Sequence, residues 1–220
     1  MLLVKPSIEI LATTYLPLNL IEKAGRVCYK SEDKITETSN ADFTTMILKR
    51  GHESVIEHAT ATVRFICDRG VSHEIVRHRL ASYSQESTRY CDYVDGHLMY
   101  VLPPWINIEP GEYDYSDGPG ECATSADSIW FNHLLRTECH YKDLRECGQK
   151  PEQARSVLPN SLKTEIVMTA NLREWRHFFK LRTAPAAHPQ MREVAIPLLA
   201  EMKRRMPVIF NDIFVVQRVV

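Results

Sequence analysis

The sequence predicts an α+β fold, in which helices and strands mix without the regular βαβ alternation of a doubly wound sheet. Two segments alternate apolar and polar residues as strands do, and longer segments around them repeat apolar residues at helical spacing. Neither G-x-G-x-x-G nor G-x-x-x-x-G-K-[ST] occurs. The fingerprint of a Rossmann dinucleotide site and the phosphate-binding P-loop are therefore both excluded.

The N-terminal part is predicted to contain three helices and one strand. Apolar spacing predicts a first helix over residues 18–29 and a second over residues 39–50, with Ser39 as the expected N-cap. Residues 59–68 alternate between apolar and more polar side chains, which predicts a strand. A short helix over residues 71–79 is expected to follow it.

A long helix is predicted in the C-terminal part, because apolar residues recur at helical spacing from Ala126 to Leu144. Gly148 is expected to end it, as glycine does at many helix C-termini. Pro151 then suits the first position of a helical turn that reaches Leu158.

The last predicted elements are a strand and two helices. Residues 162–170 alternate as a strand does. Asn171 and Glu174 suit a capping box for a helix that ends at Arg182. A final helix over residues 189–205 is expected to bend at Pro197.

One segment differs from the rest in composition. Residues 107–127 carry six acidic residues, no basic residue and several glycines and prolines. Such a composition is typical of a surface loop or an insertion.

Global charge excludes broad classes of partner. The chain of 220 residues has 27 Lys and Arg against 28 Asp and Glu. A net charge of −1 does not favour wrapping nucleic acid or coating an anionic membrane. The N-terminal apolar run is too short for a signal peptide, and no stretch of 18 apolar residues occurs. We expect a cytoplasmic protein with no membrane contact.

The cysteines are expected to be free thiols, because a chain of this length does not need a disulfide scaffold. No C-x-x-C pair occurs, so no structural zinc site, and no other metal site, is predicted. The six residues are Cys28, Cys67, Cys91, Cys122, Cys139 and Cys147.

The densest polar cluster spans residues 77–90. It holds three arginines, one histidine and several hydroxyl and amide side chains. The guanidinium fork suits phosphate oxygens, and neutral donors add hydrogen bonds without adding charge. The cluster therefore favours a phosphorylated ligand over the alternative, a solvated basic turn.

Two further groups are candidates. Arg155 lies beside apolar residues, and five basic residues fall between residues 171 and 192. Arg182 shares the apolar helical face of Trp175, so it needs an anion, either a ligand or an internal carboxylate. Residues 52–58 hold two histidines and two glutamates, which suit metal binding, acid–base chemistry or a hydrogen-bonded turn with Glu57 paired to an arginine.

These clusters together resemble a known family. The pattern R-H-R-x7-S-x-R, which begins at Arg77, resembles the signature of the flavin-dependent thymidylate synthases. H-E-S-x-x-E-H from His52, A-R-x-x-L-P from Ala154 and N-x-R-x-W-x-H-F from Asn171 resemble further elements of that family, in the same order. The matches cover most of the chain.

The resemblance implies a single domain over residues 1–220, with helices and an antiparallel sheet, that assembles as a homotetramer with active sites at subunit interfaces. It implies FAD as cofactor, NADPH as reductant and methylenetetrahydrofolate as one-carbon donor. The implied reaction converts dUMP to dTMP and releases tetrahydrofolate. No cysteine attacks the pyrimidine in this family.

The resemblance also implies roles for individual residues. The residues implied to bind FAD are Ser54, Glu57, Arg77, His78, Arg79, Gln85, Asn171, Arg173, His177 and His188. The residues implied to bind dUMP are Glu74, Arg77, Gln85, Ser87, Arg89, Arg155 and Arg182. Arg182 is the implied catalytic residue, because a cation held there would stabilise negative charge on the uracil ring.

Two other functions remain open at this level. Tyr83 and Tyr90 interleave with the basic cluster, as in modules that stack single-stranded RNA bases. Near-neutral charge and the lack of a longer basic stripe weigh against that alternative. A flavin enzyme of another specificity could keep the same cofactor frame.

Overall fold

A computed structural model of the chain describes residues 1–118 and 124–216. The α+β class is confirmed, since helices and two sheets alternate irregularly along the chain. The strands are β1 (Leu2–Val4), β2 (Ser7–Thr13), β3 (Thr60–Asp68), β4 (Ala81–Gln85), β5 (Met99–Val101), β6 (Gly111–Glu112) and β7 (Lys163–Asn171). The helices are α1 (Pro17–Val27), α2 (Ser39–Lys49), α3 (Arg69–Ile75), α4 (Ala126–Glu146), α5 (Pro151–Ala154), α6 (Leu172–Arg182), α7 (Pro189–Arg205) and α8 (Pro207–Phe210).

The strands form a three-stranded sheet of order β5-β1-β6 and a four-stranded sheet of order β2-β3-β7-β4. β1 pairs with β6 antiparallel but with β5 parallel, so the smaller sheet is mixed rather than antiparallel throughout. None of the described helices is long and apolar enough to cross a membrane.

The chain divides into two compact units. The first comprises Met1–Ser7, Ile66–Ile75 and Ser84–Ile166, and the second comprises Ile8–Phe65, Val76–Tyr83 and Val167–Val220. In the first unit, the smaller sheet and α4 bury a continuous apolar cluster that includes Leu98 and Tyr100. The expected single domain over residues 1–220 stays a prediction.

The second unit has an aromatic core on the apolar face of α6. Trp175, Phe178 and Phe179 are fully buried there. The Trp175 ring centroid lies 5.4 Å from that of Phe178, and Phe179 contacts Phe210 at 5.6 Å. The indole of Trp175 donates to the carbonyl oxygen of Ala61 over 3.1 Å, which ties α6 to β3. This packing fixes the helix that carries most of the candidate site.

Most predicted elements are confirmed, with small changes at their ends. β3 buries one face and leaves the other mostly half-buried, so the predicted alternation is found, and Asn171 caps α6 by accepting from the Glu174 amide. Ser39 is not the N-cap of α2; it is the first helical residue, and its hydroxyl binds Glu22 and Thr36 instead. Pro197 lies inside α7, which continues on both sides of it.

The helix predicted over residues 71–79 is shorter and begins earlier. The Asp68 carboxylate accepts from the Val71 amide at 2.7 Å, so α3 starts at Arg69 and ends at Ile75. The R-H-R motif therefore lies in the connection to β4 and not in a helix.

The acidic segment, residues 107–127, is only in part a loop. β6 lies within it and pairs with β1, and Tyr115–Asp117 forms a 3-10 turn capped by Asp114. Ile108 and Tyr113 pack against the apolar cluster of the first unit. Residues 119–123, including Cys122, lie outside the described residues, and the five described cysteines are free thiols.

Candidate active site

The R-H-R motif places its three side chains in different environments. Arg77 and Arg79 are exposed, whereas His78 between them is buried, with 4% of its surface exposed. Tyr83 donates its hydroxyl to the His78 carbonyl oxygen at 2.6 Å. Burial raises the pKa of Tyr83 to about 12, so the phenol stays protonated and keeps this bond at neutral pH. The turn between α3 and β4 is thereby held in place.

His78 forms the centre of a hydrogen-bonded chain with α6. Its Nδ1 lies 2.8 Å from a Glu174 carboxylate oxygen, and the Nε of Arg182 donates to its Nε2 at 3.1 Å. A guanidinium can only donate, so Nε2 accepts and the proton is assigned to Nδ1, which donates to Glu174. Glu174 and Arg182 lie two turns apart on α6, and the imidazole links them.

The protonation state of His78 follows from its surroundings. Burial lowers its pKa below the ordinary value of 6.5, and Arg182 and His177 lower it further, while Glu174 acts in the opposite sense. The net direction is downward, so the ring is neutral at pH 7. A neutral ring is also what the bond from Arg182 requires.

His78, Glu174 and His177 present three potential metal-ligand atoms within 4.8 Å of one another. Both ring nitrogens of His78 are already used in hydrogen bonds, one of them with a guanidinium. A divalent cation beside that guanidinium would meet like charge. The arrangement therefore fits a hydrogen-bonded chain, and the absence of a metal site stays a prediction.

A cavity of about 530 Å³ opens beside the N-terminal end of α6. The residues that line it are Glu53, Glu57, Leu80, Asn171, Arg173, Glu174, His177 and Lys180. The exposed Arg173 guanidinium lies 2.6 Å from the Glu57 carboxylate, so the expected pairing of Glu57 with an arginine is found. Carboxylates, cations and an imidazole thus share one cavity of a size usual for cofactor sites.

Arg176 binds Glu53, one of the residues that line this cavity. It is buried and binds the carboxylate of Glu53 at 3.2 Å and that of Asp212 at 2.6 Å. Lys180 lies 3.9 Å from the Glu53 carboxylate as well. The Glu53 carboxylate is therefore fixed in position by two cationic side chains.

In the first unit, Gln85 at the end of β4 is held by two hydroxyls. Its amide nitrogen donates to Ser72 at 2.9 Å and to Thr164 at 3.2 Å. With both amide hydrogens used in this way, the side-chain carbonyl oxygen is fixed in orientation. The arrangement gives a rigid acceptor, as recognition of a ring N–H requires.

Ser87, Arg89 and Arg155 follow in the same unit. The Ser87 hydroxyl accepts from the Arg89 amide at 3.3 Å, and the Arg155 guanidinium donates to Thr88 at 3.3 Å. Arg89 lies 3.8 Å from Glu152, with both side chains about half exposed. Among the described residues Arg155 has no carboxylate partner. Two cations are therefore only weakly neutralised, which suits a phosphate ligand.

Four further predicted residues lie on or beside α3, α6, α7 and a 3-10 turn. Ser54 is exposed in the 3-10 turn Glu53–His58, and His188 is exposed at the N-cap of α7. Glu74 is half-buried within α3. Arg182, expected on an apolar face, is half-buried, and its Nε donates to the imidazole of His78.

The sequence did not predict the role of the Glu174 carboxylate. Its position three residues after Asn171 suggested a capping box, but its carboxylate binds His78 and leaves the cap to Asn171 alone. Ser72 and Thr164, which orient Gln85, were also missed. No local signal marks such partners, because they are distant in sequence.

Comparisons with known proteins show which family the chain resembles. A family model described as thymidylate synthase complementing protein matches residues 9–208. A flavin-dependent thymidylate synthase of Mycolicibacterium vanbaalenii is 35% identical over 204 residues, which is 90% of this chain and 80% of that protein. One from Pyrococcus furiosus is 35% identical over 198 residues, which is 86% of this chain and 75% of the relative.

A solved structure is similar throughout. The UMP/dUMP methylase PolB of Streptomyces cacaoi, bound with 5-Br dUMP, has a TM-score of 0.76 and 25% identity, and 96% of each chain is covered. The family model covers far more than half of the sequence. The chain therefore belongs to the flavin-dependent thymidylate synthase family and is an enzyme of that family.

Proposed function

We propose that the chain converts dUMP to dTMP, with methylenetetrahydrofolate as one-carbon donor and FAD as the cofactor that NADPH reduces. The observation that carries the proposal is the cavity at the N-terminal end of α6, lined by Asn171, Arg173 and His177. It lies in a chain that matches the family from residue 9 to residue 208.

The cavity residues fit FAD in charge and chemistry. Arg173 and the N-terminal end of α6 favour an anion such as the pyrophosphate of the cofactor. The amide of Asn171 and the imidazole of His177 supply donors and acceptors for a flavin ring. The full set proposed to hold FAD is Ser54, Glu57, Arg77, His78, Arg79, Gln85, Asn171, Arg173, His177 and His188. The reduced cofactor, when bound, supplies the electrons that turn the transferred carbon into a methyl group.

The residues of this chain bind and polarise dUMP. Arg89 and Arg155 are assigned to its phosphate, because both guanidiniums are exposed and only weakly neutralised. The oriented carbonyl oxygen of Gln85 and the hydroxyl of Ser87 are assigned to the nucleoside. Arg77 and Glu74 complete the proposed set. Within the described part of the chain no base is bonded to the Ser87 hydroxyl, so Ser87 is assigned to binding and not to nucleophilic attack.

Arg182 is the proposed catalytic residue. A guanidinium beside the uracil carbonyl would stabilise the negative charge that develops when C5 becomes nucleophilic. His78 fixes the guanidinium through its Nε, so the cation is held in position before the substrate arrives. An electrostatic group that needs no reorganisation stabilises a transition state most effectively.

We further propose a cytoplasmic homotetramer with active sites at the subunit interfaces. Light scattering of the purified enzyme measures the number of subunits per particle, and four copies are the expected result.

The cofactor is tested by the visible absorption spectrum of the freshly purified protein, recorded before and after anaerobic addition of NADPH with dUMP present. Oxidised-flavin bands that bleach support the proposal. A colourless protein that takes up no added FAD overturns it and favours the RNA-binding alternative. Because PolB is described as acting on UMP as well as dUMP, both nucleotides are offered in the turnover assay.

A further inference from the structure

Glu174 is a buried carboxylate for which the proposed reaction has so far no use. It lies on α6, 7% exposed, and its carboxylate binds Nδ1 of His78 at 2.8 Å. A carboxylate that is almost fully buried is costly unless it is well paired. Its position is therefore maintained by the imidazole, and the imidazole is in turn constrained by the carboxylate.

The constraint acts on the tautomer of the ring. A neutral imidazole carries its proton on one nitrogen and accepts on the other. With the carboxylate as acceptor, the proton stays on Nδ1 and Nε2 can accept from Arg182 at 3.1 Å. Without that acceptor, a proton on Nε2 would face the N–H of Arg182, donor against donor. The guanidinium would then be displaced from its present position.

Two other rings lie beside the imidazole of His78. The Phe178 ring centroid lies 4.9 Å from that of His78, and the His177 ring lies at 5.7 Å. The titratable and charged groups that face His78 are Glu174, Arg182 and His177 from α6, and Tyr83 from β4. Of these, Glu174 alone supplies a negative charge.

We propose that Glu174 is a positioning residue for the reaction: it holds His78 in the Nδ1–H tautomer, and His78 in that form fixes the guanidinium of Arg182. The inference rests on the proposed function, since it requires that Arg182 acts on the uracil. It assigns to the chain Glu174–His78–Arg182 a single purpose, which is to keep one cation oriented in a partly apolar setting.

The test compares Glu174→Leu and Glu174→Gln holoenzymes with the wild type. Leucine removes the acceptor, so kcat is expected to fall on the order of 10- to 100-fold, the loss typical of a misplaced catalytic group. The Kd for dUMP and the affinity for FAD are expected to change less than kcat, because most of the residues proposed to bind each ligand stay in place. The amide oxygen of glutamine can still accept the hydrogen bond from Nδ1 of His78. The kcat of Glu174→Gln is therefore expected to lie between those of Glu174→Leu and the wild type.

Two readouts separate positioning from simple structural support. Long-range ¹H–¹⁵N spectra of the histidine rings report the tautomer, and His78 is expected to lose the Nδ1–H form in Glu174→Leu. In Glu174→Gln the charge that raises the pKa of His78 is removed. The acid limb of the kcat profile is therefore expected to move to lower pH. The second variant keeps the test decisive if the leucine variant does not fold.

The matched control is Glu22→Gln. Glu22 is also buried in the second unit, but it binds Arg26 and Ser39, far along the chain from the site residues. Its loss is expected to lower the melting temperature and to leave kcat and the acid limb unchanged.

The Arg182 and Glu174 variants together distinguish the catalytic role of Arg182 from the positioning role of Glu174. Full turnover in Arg182→Ala would overturn the role of Arg182 itself. Loss of turnover in Arg182→Ala, together with unchanged kcat, tautomer and acid limb in both Glu174 variants, would overturn only the positioning by Glu174.

Discussion

At the scale of single residues, Arg182 carries the strongest expectation. Its guanidinium donates to the buried imidazole of His78, which orients it. Arg182→Ala is expected to lose most turnover while FAD stays bound, because the cavity residues of α6 remain in place. Single-turnover assays and the flavin spectrum of the same sample measure both quantities. A variant with wild-type turnover contradicts the assigned role.

Arg89 is expected to act in binding and not in chemistry. The charge-assisted bond to a phosphate that Arg89→Ala removes contributes about 1.5–3 kcal/mol. The dUMP Kd should therefore rise roughly 10- to 150-fold, since each 1.4 kcal/mol is tenfold. Arg204→Ala is the control, because Arg204 is equally an exposed arginine but pairs with Glu201 on α7. Equal dUMP titrations for wild type and Arg89→Ala would remove Arg89 from the site.

His78 links the site to the pH dependence of stability. Its pKa in the folded protein is lowered from 6.5, so the unfolded chain binds a proton first as the pH falls. The contribution of His78 to the free energy of unfolding is therefore complete above pH 6.5. It is lost as the pH falls through 6.5 toward the pKa of the folded protein. Melting temperatures between pH 7.5 and 5.5 are expected to fall more steeply for wild type than for His78→Gln. Parallel slopes would show that His78 is not held neutral.

At the scale of elements, the N-terminal end of α6 is the critical point. Asn171 accepts from the Glu174 amide at 2.9 Å, and such a cap contributes about 0.5–2 kcal/mol. Asn171→Ala is expected to lower the free energy of unfolding by that amount, while Asn171→Ser keeps a capping oxygen and restores it. FAD titration of both variants separates the cap from a direct contact. If FAD affinity is weakened in neither, Asn171 does not bind the cofactor.

The elements show which part of the fold is readable from sequence. β3 and α6 were predicted within two residues of their ends, because one buries an alternating face and the other packs a run of aromatic side chains. β2 and β4 were missed, since β2 sorts only its first four residues by polarity and the half-buried face of the short β4 includes the polar Gln85. β1, β5 and β6 have two or three residues each, too few for an alternating pattern, and they pair with partners that are distant in sequence.

The candidate site, like the fold, could be predicted from the sequence only in part. Motif spacing identified His78, Arg173 and His177, and the structure brings the last two to one cavity. The bond between Glu174 and His78 joins residues 96 positions apart, so no local pattern could indicate it. Sequence reasoning could choose the residue types, whereas their pairing depends on how α6 packs.

At the scale of the whole molecule, the match over residues 9–208 and the TM-score of 0.76 to PolB place the chain in one family. The near-neutral charge of −1 agrees with a small-molecule substrate recognised by local cations. The acidic segment contributes β6 to the smaller sheet, so part of it belongs to the fold and is not merely appended.

The most direct test of the central claim is the formation of dTMP by the purified enzyme. Chromatography with mass detection follows the nucleotide in a complete mixture of dUMP, methylenetetrahydrofolate, NADPH and FAD, and in mixtures that lack one component. We predict dTMP in the complete mixture and none when the folate or the reductant is omitted. An enzyme whose flavin is reduced by NADPH, but which leaves dUMP unchanged in the complete mixture, would contradict the account.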